Sequence, residues 1–315
     1  MEPAVSHEGD TNPAMVPGPA GKRAGLEWLA SIWKVILFLL ITALFAPGIF
    51  GLIALKLFGA PGQPLPLNFF LFVEVGQFAV VVVTSLLLAA FERRPFGDYG
   101  LPWSDAFGAN FWVGLLLGLA EGSVLDGSIL LLGGYSFGTF ALHGAQIITW
   151  GLLQFVLFLF VGLYEEFVFR GYAQYGLSKV IGFWPAAVLL SAGFGCVHLL
   201  NANEGWVGAA GVALVGLLFC FALKRSGNLW YAVGLHAGFD WAESFLYSVP
   251  DSGQMMQGHL SNAVLHGPKW LTGGGIGPEG SVFCFLTLGV QFLVVHWLFP
   301  AKKTEAPAEI IAVHS

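Results

Sequence analysis

Eight apolar stretches follow one another along the chain, at about 28 to 58, 68 to 91, 107 to 133, 146 to 178, 183 to 201, 206 to 223, 229 to 248 and 281 to 299. Most reach the roughly 20 residues that a helix needs to cross a bilayer. The pattern predicts an all-α fold: a polytopic transmembrane helix bundle of about eight spans. Pro47-Gly48 lies inside the first stretch and predicts a kink there, because proline removes a backbone donor. Residues 1–27 are rich in Pro, Gly, Ala and acidic side chains without an apolar period, which predicts a disordered tail. They lack the basic start and short apolar core of a cleavable signal peptide. Residues 28–300 then form one membrane bundle, and residues 301–315 a second tail. The longest connection, about 249 to 280, carries Gly273, Gly274, Gly275 and Gly277 near its end and reads as turn-forming material.

Composition sharpens this picture. Of 315 residues, 56% are hydrophobic and 10% charged, against roughly 25% charged in a soluble domain. With a mean hydropathy of +0.75, an ordinary soluble protein is excluded. The 43 glycines and 29 phenylalanines fit helices packed closely in lipid. A net charge of -6 with scattered basic residues makes nucleic acid a poor partner. Cys196, Cys220 and Cys284 lie in apolar runs without CxxC spacing, so they form neither a disulfide framework nor a thiolate zinc site. Short cytoplasmic loops collect Lys and Arg. With the N-terminus inside, Lys22, Arg23, Arg93, Arg94, Lys179, Lys224, Arg225, Lys302 and Lys303 all fall on the cytoplasmic side, and only Lys56 and Lys269 fall outside. Lys34 can snorkel from just inside the first span. This asymmetry predicts eight helices with the N-terminus and C-terminus both cytoplasmic.

Ionisable groups inside apolar spans cost roughly 2.5–3.5 kcal/mol each on insertion scales and mark candidate chemistry. The densest set is Glu165, Glu166 and Arg170 in the fourth span. Arg170 follows Glu166 by four residues and shares its helix face. Glu165 is rotated by about 100° and lacks that partner, which suits a carboxylate that takes a proton from water. His198 lies in the fifth span, and His236 and Asp240 lie four apart in the seventh, where the carboxylate can orient the imidazole. If the fourth helix runs on to about Ser178, Glu165 lies roughly 20 Å, His198 roughly 22 Å and Asp240 roughly 17 Å from the cytoplasmic helix ends, with His236 shallower at roughly 11 Å. The competing reading is a buried ion network that fixes helix packing. Glu74, Glu121, Asp126 and Glu243 read as capping or interhelical hydrogen-bonding groups, with cavity lining the alternative. His143, His259 and His266 fall in external loops, and His296 lies near the cytoplasmic interface.

The three sets, EExxxR at Glu165 to Arg170, FxxxH at Phe194 to His198 and HxxxD at His236 to Asp240, resemble in order and spacing the motifs of the CPBP intramembrane endopeptidases. That family is also called the Abi or CAAX prenyl protease and bacteriocin-processing family. The similarity covers about 145 to 248, and the run Gly277 to Gly280 is similar to a segment found after the core in bacterial members. The resemblance implies a hydrolase working in a polar cavity near the cytoplasmic face of a bacterial inner membrane, with membrane lipids and a membrane-inserted or prenylated peptide as partners. By carry-over, Glu165 activates water with help from His198, Glu166 and Arg170 hold the site, and His236 and Asp240 serve the oxyanion or the substrate carbonyl. Asp240 stands where the family often has Asn. An ionised Asp cannot donate to an oxyanion, so Asp240 is either protonated or orients His236.

Two chemistries remain open at this point. Glu165, His198 and His236 offer the two nitrogens and one oxygen of many catalytic zinc sites, a metalloendopeptidase reading, and a metal-free glutamate mechanism needs no cofactor. Neither GxSG nor GxGD motifs of other intramembrane proteases occur. A non-proteolytic membrane partner, such as a bacteriocin-immunity or scaffold protein, is the main alternative. A proton-coupled transporter fares worse, because no inverted repeat is visible.

Overall fold

The computed structural model describes residues 20–59, 63–201 and 203–301. The tail expected over 1–27 therefore lies mostly outside the described residues, as does nearly all of 301–315. From Ala20 the described chain is already helical.

The helices, in chain order, are α1 (Ala20–Ala43), α2 (Gly51–Phe58), α3 (Leu67–Glu92), α4 (Ala109–Leu131), α5 (Ala145–Glu166), α6 (Ala173–Ile181), α7 (Phe183–His198), α8 (Trp206–Ser226), α9 (Trp230–Trp241), the short α10 (Lys269–Thr272) and α11 (Val282–Leu298). Each predicted stretch has its helix. Three of them contain a wide turn, at Leu44–Phe50 between α1 and α2, at Phe167–Tyr172 between α5 and α6, and at Ala242–Tyr247 after α9. Pro47 accounts for the first, since its ring and missing N–H disrupt the regular ladder. In the second, Gly171 leaves helical geometry at φ -84, ψ -115, so the fourth span is extended as expected but bent. Five helices, including the continuous Ala145–Ile181, are long and apolar enough to cross a membrane, and Phe183–His198 and Val282–Leu298 are shorter apolar helices.

Packing inverts the soluble pattern. Along α5 the inward stripe is Gly151, Gln154, Phe158, Gly162 and Glu166, whereas Ile148, Leu152 and Leu153 are exposed. A helix in lipid has no reason to hide leucine, but it must hide polar groups. Small residues set the closest crossing, between α4 and α9. A methyl group added at Gly114 or Gly118 would run into the carbonyls of Tyr231 and Leu235, and one at Gly234 or Gly238 into those of Phe111 and Leu115. Two glycine ladders four residues apart thus bring the helix backbones together. Gly118→Val is expected to cost about 1–3 kcal/mol through forced separation of these helices. Gly127→Ala, on the same helix with open space around it, should be neutral or stabilising by up to about 1 kcal/mol. Thermal unfolding of the purified variants in detergent checks both.

At one end of the bundle Glu92 pairs with Lys34 at 2.9 Å and Lys179 at 3.7 Å, and accepts hydrogen bonds from Tyr99 and Tyr172. Lys34 thus ends its reach on a carboxylate rather than in solvent alone. At that same predicted side Arg225 contacts His296 at 3.2 Å. The opposite end is covered by the pair β1 (Tyr135–Ser136) and β2 (Val264–Leu265), which are antiparallel, and by the rest of the 249–280 connection.

Candidate active site

Glycine also builds the site. Gly162, one turn before Glu166 on α5, faces the Val233 carbonyl and the Cβ of His236 on α9, so these two helices approach until their polar side chains meet. His236 Nδ1–H donates to Glu166 Oε1 at 3.1 Å. His236 Nε2 stands 3.4 Å from Asp240 Oδ2 and 3.7 Å from Glu165 Oε2. Arg170 Nη1 donates to the same Glu166 oxygen at 3.3 Å, as the spacing of four predicts.

The two adjacent glutamates have different surroundings. The side chain of Glu166 is fully buried between Arg170 and His236, while that of Glu165 keeps 23% exposure. Arg170 is equally enclosed. Its guanidinium lies 4.2 Å from the Phe194 ring centroid and is also close to Phe169 and Phe219, and Gly216 on α8 leaves the space that its Nη2 occupies. Glu166 and Arg170 are therefore held in place, and Glu165 is left free to meet a small molecule.

His198 reaches the site from the last turn of α7. Its Nδ1–H donates to the Phe194 carbonyl at 2.9 Å, which fixes the tautomer and leaves Nε2 free. Glu165, His198, His236 and Asp240 all line one cavity of about 240 Å³ inside the bundle. His198 shares the cavity with Glu165 without coming within ion-pair distance of it.

Among the described residues, these three nominated zinc ligands do not converge. The one set of three groups whose ligand atoms lie within 4.8 Å of one another is Glu243, Asp251 and Glu279. Glu165 Oε2 and His236 Nε2 stand 3.7 Å apart, and His198 is the member of the set that stands off from this pair.

Glu74 and Glu121, for which the sequence left cavity lining as the alternative to hydrogen bonding, line the cavity, and Glu74 also accepts a hydrogen bond from Gln77 at 2.7 Å. Several other groups of the cavity were not predicted. Asp251, Ser252 and Glu279 reach it from the 249–280 connection. Glu279 does stand in the Gly277 to Gly280 run, but nothing in that run signalled a fold back into the bundle. Ser252 donates its N–H to Glu279 at 2.6 Å. Burial, with the neighbouring Asp240 and Glu279 carboxylates, pushes the Asp251 carboxyl well above the usual range. Burial also pushes Glu279 up, against the hydrogen bonds from Ser252. The 249–280 connection thus forms part of the cavity wall.

Residues 147–242 match the model of the family described as Rce1-like, Type II CAAX prenyl endopeptidase Rce1-like. No curated protein and no solved structure matches the chain. The matched segment runs from α5 to the wide turn after α9 and contains Glu165, Glu166, Arg170, His198, His236 and Asp240. Over residues 147–242 the chain is similar to the Rce1-like CAAX prenyl endopeptidases, a match that supports assignment to that type of membrane peptidase.

Proposed function

We propose that this protein is an intramembrane endopeptidase that hydrolyses a peptide bond in a membrane-inserted or prenylated substrate, using water activated by Glu165. The observation that carries the reading is that Glu165, His198, His236 and Asp240, from three helices, line one cavity in an otherwise apolar bundle. Its setting is the inner membrane of a bacterium, in keeping with the Gly277 to Gly280 run. Its partners are lipid and the peptide itself.

Glu165 is the exposed member of the glutamate pair and accepts the proton of the attacking water. His198, with Nδ1–H committed to Phe194, offers Nε2 as a second proton acceptor and later as donor to the leaving amine. His236 gives its Nδ1–H to Glu166, and as an imidazolium held among the Glu165, Glu166 and Asp240 carboxylates it carries a second proton on Nε2, which points into the cavity between Glu165 and Asp240. That N–H is the donor available to the developing oxyanion, and Asp240 orients the ring rather than donating itself. Glu166 and Arg170 position His236. No step in this scheme is assigned to a metal.

The test is cleavage in proteoliposomes of two peptides, one farnesylated at a C-terminal CAAX sequence and one an unmodified transmembrane segment, with products read by mass spectrometry. Cleavage of either by the wild type supports the reading. If neither is cut, and Glu165→Gln and His198→Ala leave the cellular phenotype intact, the protein is a non-proteolytic membrane partner.

His198→Ala is expected to lower kcat by about 10²-fold with little change in KM, the ordinary share of a proton-transfer group. Steady-state kinetics on whichever peptide is cut checks it.

A further inference from the structure

At one wall of the cavity stands a second group of acids that peptide hydrolysis does not use. Glu243 comes from the wide turn after α9, Asp251 from the start of the long connection, and Glu279 from its end. Their ligand oxygens all lie within 4.8 Å of one another. Glu243 is fully buried and neither of its carboxylate oxygens has a hydrogen-bond partner. The same holds for Asp126 on α4. Among the described residues, no Lys or Arg stands within ion-pair distance of any of the four. Four carboxyl groups this enclosed must be neutralised, either by protons or by a bound cation.

We propose that Glu243, Asp251 and Glu279 bind a hard divalent cation, Ca²⁺ in the first place, which clips both ends of the 249–280 connection to the bundle. An all-oxygen set selects Ca²⁺ or Mg²⁺ over zinc or copper. Oxygens that all lie within 4.8 Å of one another are close enough to share one Ca²⁺, whose bonds of about 2.3–2.6 Å allow ligands up to about 4.6–5.2 Å apart. Local geometry is already prepared for such a clip. The Gly253 N–H donates to the Ile276 carbonyl at 2.8 Å, tying the two ends together beside the acids. Gly277, at φ 106, packs so tightly on the Pro250 carbonyl that no side chain fits. Because Asp251 and Ser252 also line the cavity, the cation would fix one wall of the catalytic chamber. This inference rests on the acids alone and stands or falls apart from the protease reading.

The test strips the purified full-length protein in detergent with EDTA and then adds CaCl₂ or MgCl₂. Ca²⁺ at about 100-fold above its Kd should raise Tm by about 5 °C or more, with a smaller rise for Mg²⁺. Both Glu243→Gln and Asp251→Asn should remove the Ca²⁺-induced rise. Should a variant fail to fold, equilibrium binding of ⁴⁵Ca²⁺ to the stripped wild type should still give one site per chain. A Tm indifferent to Ca²⁺, together with a gain in Tm on Glu243→Gln, would mean that protons neutralise the cluster and would overturn the proposal. So would a Ca²⁺ shift that survives both substitutions, and a Mg²⁺ shift equal to that of Ca²⁺ would overturn the assignment to calcium.

Discussion

Replacing Glu165 with Gln is expected to lower kcat for peptide cleavage by at least about 10³-fold, within the range attributed to a positioned general base, while Tm stays within about 2 °C of the wild type. Gln has the same shape and retains an acceptor, so it leaves the partly exposed side chain in place but cannot take a proton. The accompanying contacts are long: the nearest recorded ion-pair partner of Glu165 is His236 Nε2 at 3.7 Å. Little packing energy therefore depends on the charge. The comparison that matters is with Glu166→Gln, one residue on. Glu166 holds His236 Nδ1 and Arg170 at once, so its loss should disturb stability and activity together. Kinetics and thermal unfolding of the two variants side by side separate a proton acceptor from a structural acid.

Arg170→Met is expected to be the most destabilising single change in the site. It leaves the Glu166 carboxylate buried without its cation, a situation that costs about 3–5 kcal/mol and corresponds to a fall in Tm of roughly 10 °C in a chain of this size. It also removes a guanidinium packed 4.2 Å from the Phe194 ring, next to the carbonyl that anchors His198. The double variant Glu166→Gln/Arg170→Met removes both charges and should recover most of the lost stability, because a neutral buried pair no longer needs compensation. It should not recover activity, since His236 then lacks the charged acceptor that orients it. Thermal unfolding and cleavage measured on the same samples check both halves.

Much of this arrangement was legible in the sequence. In a membrane the lipid-facing residues and the helix lengths are set by one solvent of fixed thickness. The eight apolar runs accordingly find their helices with ends displaced by a few residues, as where the run to 201 gives a helix ending at His198. Polar residues are costly enough in such runs that Glu165, Arg170, His198 and Asp240 stood out individually. The convergence of the three motifs depended on the fourth helix continuing past Arg170, which it does, through a bend at Gly171 that hydropathy does not encode. Asp251 and Glu279 were not legible, because a loop that folds back onto a bundle does so through contacts far apart in the chain. Glu74 and Glu121 were visible as misplaced acids, yet their direction toward a common cavity depends on helix rotation. That rotation is decided by glycine contacts such as Gly118 on Leu235, which a single sequence shows only as composition.

The central claim is that Glu165 activates water for peptide hydrolysis without a bound transition metal. The most direct measurement is cleavage of the accepted peptide in H₂¹⁸O by purified wild-type protein, in excess 1,10-phenanthroline with Ca²⁺ supplied, alongside elemental analysis of the same sample. The expected result is undiminished cleavage, one ¹⁸O in the new carboxylate and well under one zinc per chain. Activity that disappears with the chelator and returns on adding zinc would contradict the account.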